Sequence, residues 1–301
     1  LWTALAAGLL SLPAFWVAAD FLYSRRTASR SVAPGVRRAS TRPFSLNEEG
    51  TPVLLLIHGF ADGPSVFAKL APALAGAGLA VHAMHLSGSG VATGEMKGIC
   101  LETWRGDIDR EISALGARNP NRAIWLVGHS LGGALAFDAA LRPSNSVKGL
   151  VLLAPLIEPS NARSPLLTSR QWFSILSRGL HFSELVESRL PADLHDPAAR
   201  ALYKTDRFIH RDIYRALFAT IDAISNRAAD WHGPLLMVIS PTDQIVDPAA
   251  SRRFFLDAHH SAPSQLVESP SSGHVLPLDA GNEVMAAQMA QFILMARKTE
   301  P

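Results

Sequence analysis

Cysteine is almost absent. The single Cys100 among 301 residues excludes an intrachain disulfide, so the chain must be held by its core and its redox compartment is left unmarked. Charge is sparse too. Asp, Glu, Lys and Arg make up 18% of the chain against 48% apolar residues, a balance that excludes a disordered chain and allows a large buried core. A basic face is also lacking. The formal charge of +2 arises because residues 1–42 hold six arginines and one acid, leaving 22 basic and 25 acidic residues in 43–301. A body with a net charge of −3 has no nucleic-acid footprint, and no nucleic-acid partner is expected. There is no internal repeat, and no low-complexity segment beyond the basic arm.

The first 19 residues, LWTALAAGLLSLPAFWVAA, carry no charge at all. This is about the minimum length for a bilayer span, with Trp2 and Trp16 suited to the two interfaces. Residues 1–23 therefore read as a membrane anchor, and the arginine-rich flank at 24–42 as a polar linker kept on the cytoplasmic side. A signal peptide cleaved near VAA, with export of the remainder, is the competing reading, and a buried helix the third.

From residue 43 onward short apolar runs alternate with helical patterns. Strands are expected within 52–60, 79–86, 123–130, 147–155, 234–243 and 264–270, each closed by Gly, Ser, Pro or Asp as buried parallel strands tend to be. Trp104, Ile108, Ile112 and Leu115 mark one face of a helix, with Asp107, Asp109 and Glu111 off it. A last helix over about 282–297 buries Met285, Met289 and Phe292. This alternation predicts an α/β fold with a mostly parallel sheet of six to eight strands, covered on both faces. Nearly eighty residues interrupt the rhythm, too many for one crossover, so 43–155 and 233–301 form the core and 156–232 an inserted helical cap.

The stretch LVGHSLGGAL places Ser130 between Gly128 and Gly132, with a strand before it and a helix after. G-x-S-x-G is weak alone, but in strand–turn–helix context it is the pattern of a nucleophile elbow, with the glycines leaving room where side chains would collide. A serine hydroxyl needs a base and an orienting acid. Asp243, at the end of LLMVISPTD, and His274, in SSGHVLPLD, follow in the required order. Asp247 is the rival acid, but it precedes Pro248 and looks like the N-cap of the next helix. The ten other histidines, among them His58, His82, His129 and His210, read as solvated or packing residues. The second oxyanion donor is expected from the loop after LLLIHGF, making the backbone N–H groups of Phe60 and Leu131 the pair that holds a tetrahedral oxyanion.

In this order, LLLIHGF, GHSLGG, SPTDQIVDP and SSGHVLPLD resemble the α/β-hydrolase superfamily, and within it most the bacterial carboxylesterase and monoacylglycerol-lipase branch. The resemblance covers about residues 43–297 and implies a Ser130–Asp243–His274 triad. It departs at Ser89, where the branch often has histidine, a change expected to alter the pocket rim, and in its leading antiparallel strands, for which only RPFSLNEEG is available. It implies a serine hydrolase that cleaves carboxylic esters, small or lipid-like, through an acyl-serine intermediate, with no metal or organic cofactor. Thioesterase, acyltransferase or C–C hydrolase chemistry on the same triad, and a non-catalytic receptor, are the alternatives. In the cap, Leu166, Leu167, Trp172, Phe173, Ile175 and Leu176 either line an acyl pocket or pack on the sheet.

Overall fold

The computed structural model describes residues 2–28 and 38–298 except 165, 189, 190, 259 and 260. Residues 29–37 of the expected linker, His259 and His260, and the side chain of Trp2 lie outside the described residues. A helix α1 (Trp2–Ala28) is followed by β1 (Phe44–Leu46), β2 (Val53–Ile57), α2 (Leu70–Gly76), β3 (Ala80–Ala83), α3 (Leu101–Arg118), β4 (Ile124–His129), α4 (Leu131–Ala140) and β5 (Val147–Leu153). Then come α5 (Ser169–Gly179), β6 (Leu185–Glu187), α6 (Pro197–Leu202), β7 (Phe208–His210) and α7 (Arg211–Ile224). The chain closes with β8 (Leu235–Ile239), α8 (Pro248–Asp257), β9 (Ser264–Glu268) and α9 (Asn282–Lys298).

Seven strands form one sheet in the order β1-β3-β2-β4-β5-β8-β9, parallel throughout except for β1 against β3. Every residue of β2 is buried, because helices cover both faces of the sheet. Leu55 and Ile57 face one way, with Leu126, Leu152 and the helices α3 and α4. Leu54 and Leu56 face the other, with Val127, Leu153 and the helices α2 and α9. Each such side chain taken from water contributes roughly 1.5–3 kcal/mol, so the central strands are the most strongly fixed part of the sheet. The expected α/β fold is present, and β1 is the leading antiparallel strand that RPFSLNEEG supplies.

Two expectations need correction, and one residue adds a contact. Asp107, off the apolar face of α3, is not solvated. It is buried, accepting the Ser87 N–H at 2.8 Å and pairing with Arg110, and periodicity alone cannot show such a partner. The cap is not purely helical, since β6 and β7 pair as an antiparallel ribbon of three-residue strands too short to carry a period. Finally, α1 does not end at residue 23. It continues to Ala28 because nothing in SRRTA breaks a helix, and Asp20 and Thr27 on it are buried. No helix among the described residues is long and apolar enough to cross a membrane.

Candidate active site

Ser130 sits alone between the end of β4 and the start of α4, with φ 53° and ψ −118°. This left-handed backbone is strained for a residue with a side chain, and it lifts the hydroxyl above the sheet. The turn tolerates no bulk on either side. A Cβ on Gly128 would stand 2.2 Å from the Gly132 carbonyl oxygen, and one on Gly132 would stand 2.0 Å from that of Ile57. The Ser130 N–H donates to Leu153 O at 2.9 Å, and its carbonyl accepts from Gly133 and Leu156 at 2.9 Å each, so neighbouring β5 pins the turn.

The loops after β8 and β9 bring the other two residues to this point. Ser130 Oγ lies 2.9 Å from His274 Nε2, and His274 Nδ1 lies 2.7 Å from Asp243 Oδ2. All three are buried. The second oxygen of Asp243 accepts the N–H groups of Ile245 at 2.8 Å and Val246 at 2.9 Å. Burial works to raise the Asp243 pKa, but the His274 charge and these hydrogen bonds hold it below the usual carboxylate range. Burial works to lower that of His274, and the Asp243, Asp193 and Asp62 carboxylates outweigh it, holding the imidazole above its ordinary value. Asp247, the rival acid, caps α8 by accepting the Ala249 N–H at 2.8 Å.

Phe60 follows β2, and Leu131 opens α4. Among the described residues neither amide has a backbone acceptor. Both flank the Ser130 hydroxyl in sequence or in the pocket wall, which suits them to bind a developing oxyanion. His58, in the His-Gly-Phe turn, is a brace: its Nδ1–H donates to Gly59 O at 2.9 Å and its Nε2 accepts the Leu86 N–H at 3.1 Å. His129 donates from Nε2 to the carbonyl of His274 at 3.1 Å. Burial drives both rings down to about 3, so both stay neutral.

Two residues that sequence reasoning missed hold the loops that carry Asp243 and His274. Asp193, in the cap segment after β6, accepts the N–H of Gln244 at 2.9 Å and of His274 at 3.2 Å through one oxygen. It therefore ties the two loops, one carrying Asp243 and the other His274, to each other. Asp279 accepts the N–H groups of Gly273, His195 and Asp196, fastening the histidine loop to the cap from behind. Asp279 has a local signal in its place shortly after His274. Asp193 has none, since its partners lie 51 and 81 residues away.

Above Ser130 opens a mostly apolar cavity of about 410 Å³. Phe60, Leu156, Trp172, Phe173, Leu176 and Tyr214 line it, and the tyrosine ring sits 5.0 Å from that of Phe60. Three of the six apolar cap residues singled out in the sequence thus reach the cavity. Leu166 and Ile175 instead face solvent, and α5 buries none of its residues against the sheet. Ser89 lines a small recess beside Phe60 rather than this cavity. Among the described residues no group of three His, Cys, Asp or Glu is placed to hold a metal ion.

Comparison with known proteins agrees with this geometry. The chain is 26% identical to a monoacylglycerol lipase of Mycolicibacterium smegmatis over 229 residues, covering 74% of this chain and 80% of the relative. A solved structure of metagenome-derived lipolytic enzymes, described as LipS and LipT, superposes with a TM-score of 0.74 at 20% identity, covering 86% of this chain and all of that one. The structure of a monoacylglycerol lipase from Paleococcus ferrophilus does so with a TM-score of 0.70 at 23% identity, covering 85% and 98%. The model of the hydrolase family described as serine aminopeptidase, S33 matches residues 49–280, which hold the elbow, both loops and the cap, and the chain belongs to that family of α/β-hydrolases.

Proposed function

We propose that the protein is a serine hydrolase that cleaves carboxylic esters of apolar acyl groups, with Ser130, His274 and Asp243 as its triad. The observation that carries this reading is the continuous hydrogen-bonded line from Asp243 through His274 to Ser130, opening into an apolar cavity. Ser130 Oγ attacks the ester carbonyl and its proton passes to His274 Nε2. Asp243 holds the tautomer and stabilises the imidazolium, while the Phe60 and Leu131 amides take the oxyanion. The alcohol leaves with the proton from His274. Water, deprotonated by the same nitrogen, then attacks the acyl-serine, and the acid departs.

The name of the M. smegmatis relative supports a lipid-like ester, and the apolar lining supports the same choice. Peptide N-termini fit poorly, because among the described residues no Asp or Glu lines the cavity to receive an ammonium group, whereas Arg163 and Arg211 do line it. Association with a lipid surface belongs to this reading. It is supported by Phe15, Trp16, Val17, Phe21 and Leu22, all exposed on α1, and by Arg25 and Arg26 beyond them, which suit an anionic lipid surface. A panel of p-nitrophenyl esters from acetyl to palmitoyl, with the matching thioesters, tests the reaction on the full chain. Turnover that rises with chain length and disappears in Ser130→Ala is expected; equal turnover in that variant would refute it.

A further inference from the structure

The matched family region begins at residue 49, and α1 precedes both it and the first strand of the sheet. Its described contacts run to the cap, and they converge on one short stretch after α5. Asp20, almost fully buried, accepts the N–H groups of His181 at 2.6 Å and Phe182 at 2.9 Å on one oxygen and of Ser183 at 3.1 Å on the other. The Ser183 hydroxyl donates back to Asp20 O at 3.1 Å. On either side along the helix, Trp16 Nε1 donates to Gly179 O at 2.7 Å and Ser24 Oγ to Phe182 O at 2.8 Å. Tyr23 receives the Glu187 N–H at 3.0 Å, and the Phe21 ring meets that of Phe182 edge-on at 5.6 Å.

That same stretch is a wall of the cavity over Ser130, since Leu180, Ser183 and Val186 line it. Three successive amides aimed at one carboxylate hold the turn against α1, while Leu180, Ser183 and Val186 of the same stretch border the cavity. Burial works to raise the Asp20 pKa, but hydrogen bonds from Phe182, Ser183 and His181 bring it below its ordinary value, so the clamp is ionised at neutral pH. Without the carboxylate, the three amides would seek water and the wall would be free to turn.

We propose that α1 is a specificity element of the substrate cavity and that Asp20 is its positioning residue, fixing the 180–186 wall against which a long acyl group packs. The proposal rests on the ester-hydrolase reading for its substrate, and makes the N-terminal helix part of the cap in addition to any role at a lipid surface. A short acyl group reaches Ser130 without touching this wall, whereas a long one depends on it.

The test compares the full chain with Asp20→Ala on p-nitrophenyl acetate and p-nitrophenyl decanoate. Binding of 11-(dansylamino)undecanoic acid is followed by fluorescence, and covalent labelling of Ser130 by a fluorophosphonate reports that the site is intact. Losing hydrogen bonds to a charged group is expected to raise KM for the decanoate and weaken probe binding by about tenfold each. Turnover of the acetate and the labelling rate should stay within about twofold, and Asp20→Asn, which keeps an acceptor oxygen, should fall in between. An equal loss on both esters would make Asp20 a general stability residue and overturn the proposal, as would no change on either. If Asp20→Ala does not fold, Trp16→Phe removes the bond to Gly179 while keeping an aromatic ring, and must shift the decanoate KM in the same direction for the proposal to stand. A wild-type chain that hydrolyses neither ester would refute the proposed function, and the probe measurement would still decide whether α1 forms the wall.

Discussion

The Ser130 turn is held both by packing and by backbone hydrogen bonds, whereas α5 in the cap buries none of its residues. The elbow is closed by glycines that admit no side chain, and the acid and base loops are tied by Asp193 and Asp279. Helix α5 instead rests on a Thr168–Gln171 capping box and the exposed Arg170–Asp222 pair to α7, each weak on its own. The difference separates chemistry from selectivity. A proton relay loses rate with small misplacement and needs a rigid frame. An acyl pocket needs an apolar wall of the right size, so α5 can be lightly fixed while the 180–186 wall is held by α1.

The comparison breaks first, if it breaks, at Asp243. Asp243→Asn keeps the shape but presents an amide where the His274 ring needs an acceptor, so kcat on any hydrolysed ester should drop about 10⁴-fold. Stopped assays on purified variant and wild type check this, and a loss of only a few-fold would mean that the relay does not run through this residue. Asp193 is expected to matter less and differently. Asp193→Asn keeps an acceptor for the Gln244 and His274 amides while removing a charge that holds the His274 pKa up. The free base is the active form, so activity is lost as pH falls through the raised His274 pKa. In the variant that acid limb should move to lower pH, with kcat at its plateau reduced about tenfold or less. A limb that stays in place would limit Asp193 to a mechanical role.

Smaller still are the cap predictions. Trp172, which lines the cavity at its partly exposed edge, should when changed to Ala raise KM for long-chain esters about tenfold and spare short ones, the equivalent of about 1.4 kcal/mol of lost apolar contact. Ile175 lies on the same helix but outside the cavity. Ile175→Gln should leave KM for long- and short-chain esters alike within about twofold, a contrast with Trp172→Ala that would separate the helix's inner face from its outer one.

The same contrast governs what could be read from the chain. The sheet strands are continuous apolar runs closed by turn residues, so β2, β4, β5 and β8 fall inside the stretches where they are expected. Ser130, Asp243 and His274 stand at the ends of such strands, and the fold brings them within hydrogen-bond distance. The cap resisted reading for physical reasons. Strands β6 and β7 are three residues each, and their pairing depends on a partner some twenty residues away rather than on a local period. Asp193 looks like any loop acid until the chain returns to it. At the N-terminus the polar residues Ser24, Arg25 and Arg26 suggested a linker, yet the helix continues through them because the cap supplies the groups that Asp20 and Ser24 bind.

The central claim is that Ser130 is made nucleophilic by His274, and covalent labelling reads this without any assumption about the natural ester. A fluorophosphonate incubated with the full chain should add one phosphonyl group, located by peptide mass spectrometry at Ser130. Its rate should fall as pH drops through the His274 pKa, and labelling should be lost in Ser130→Ala and nearly so in His274→Ala. A wild-type chain that stays unlabelled, or an adduct that persists in Ser130→Ala, would contradict the account.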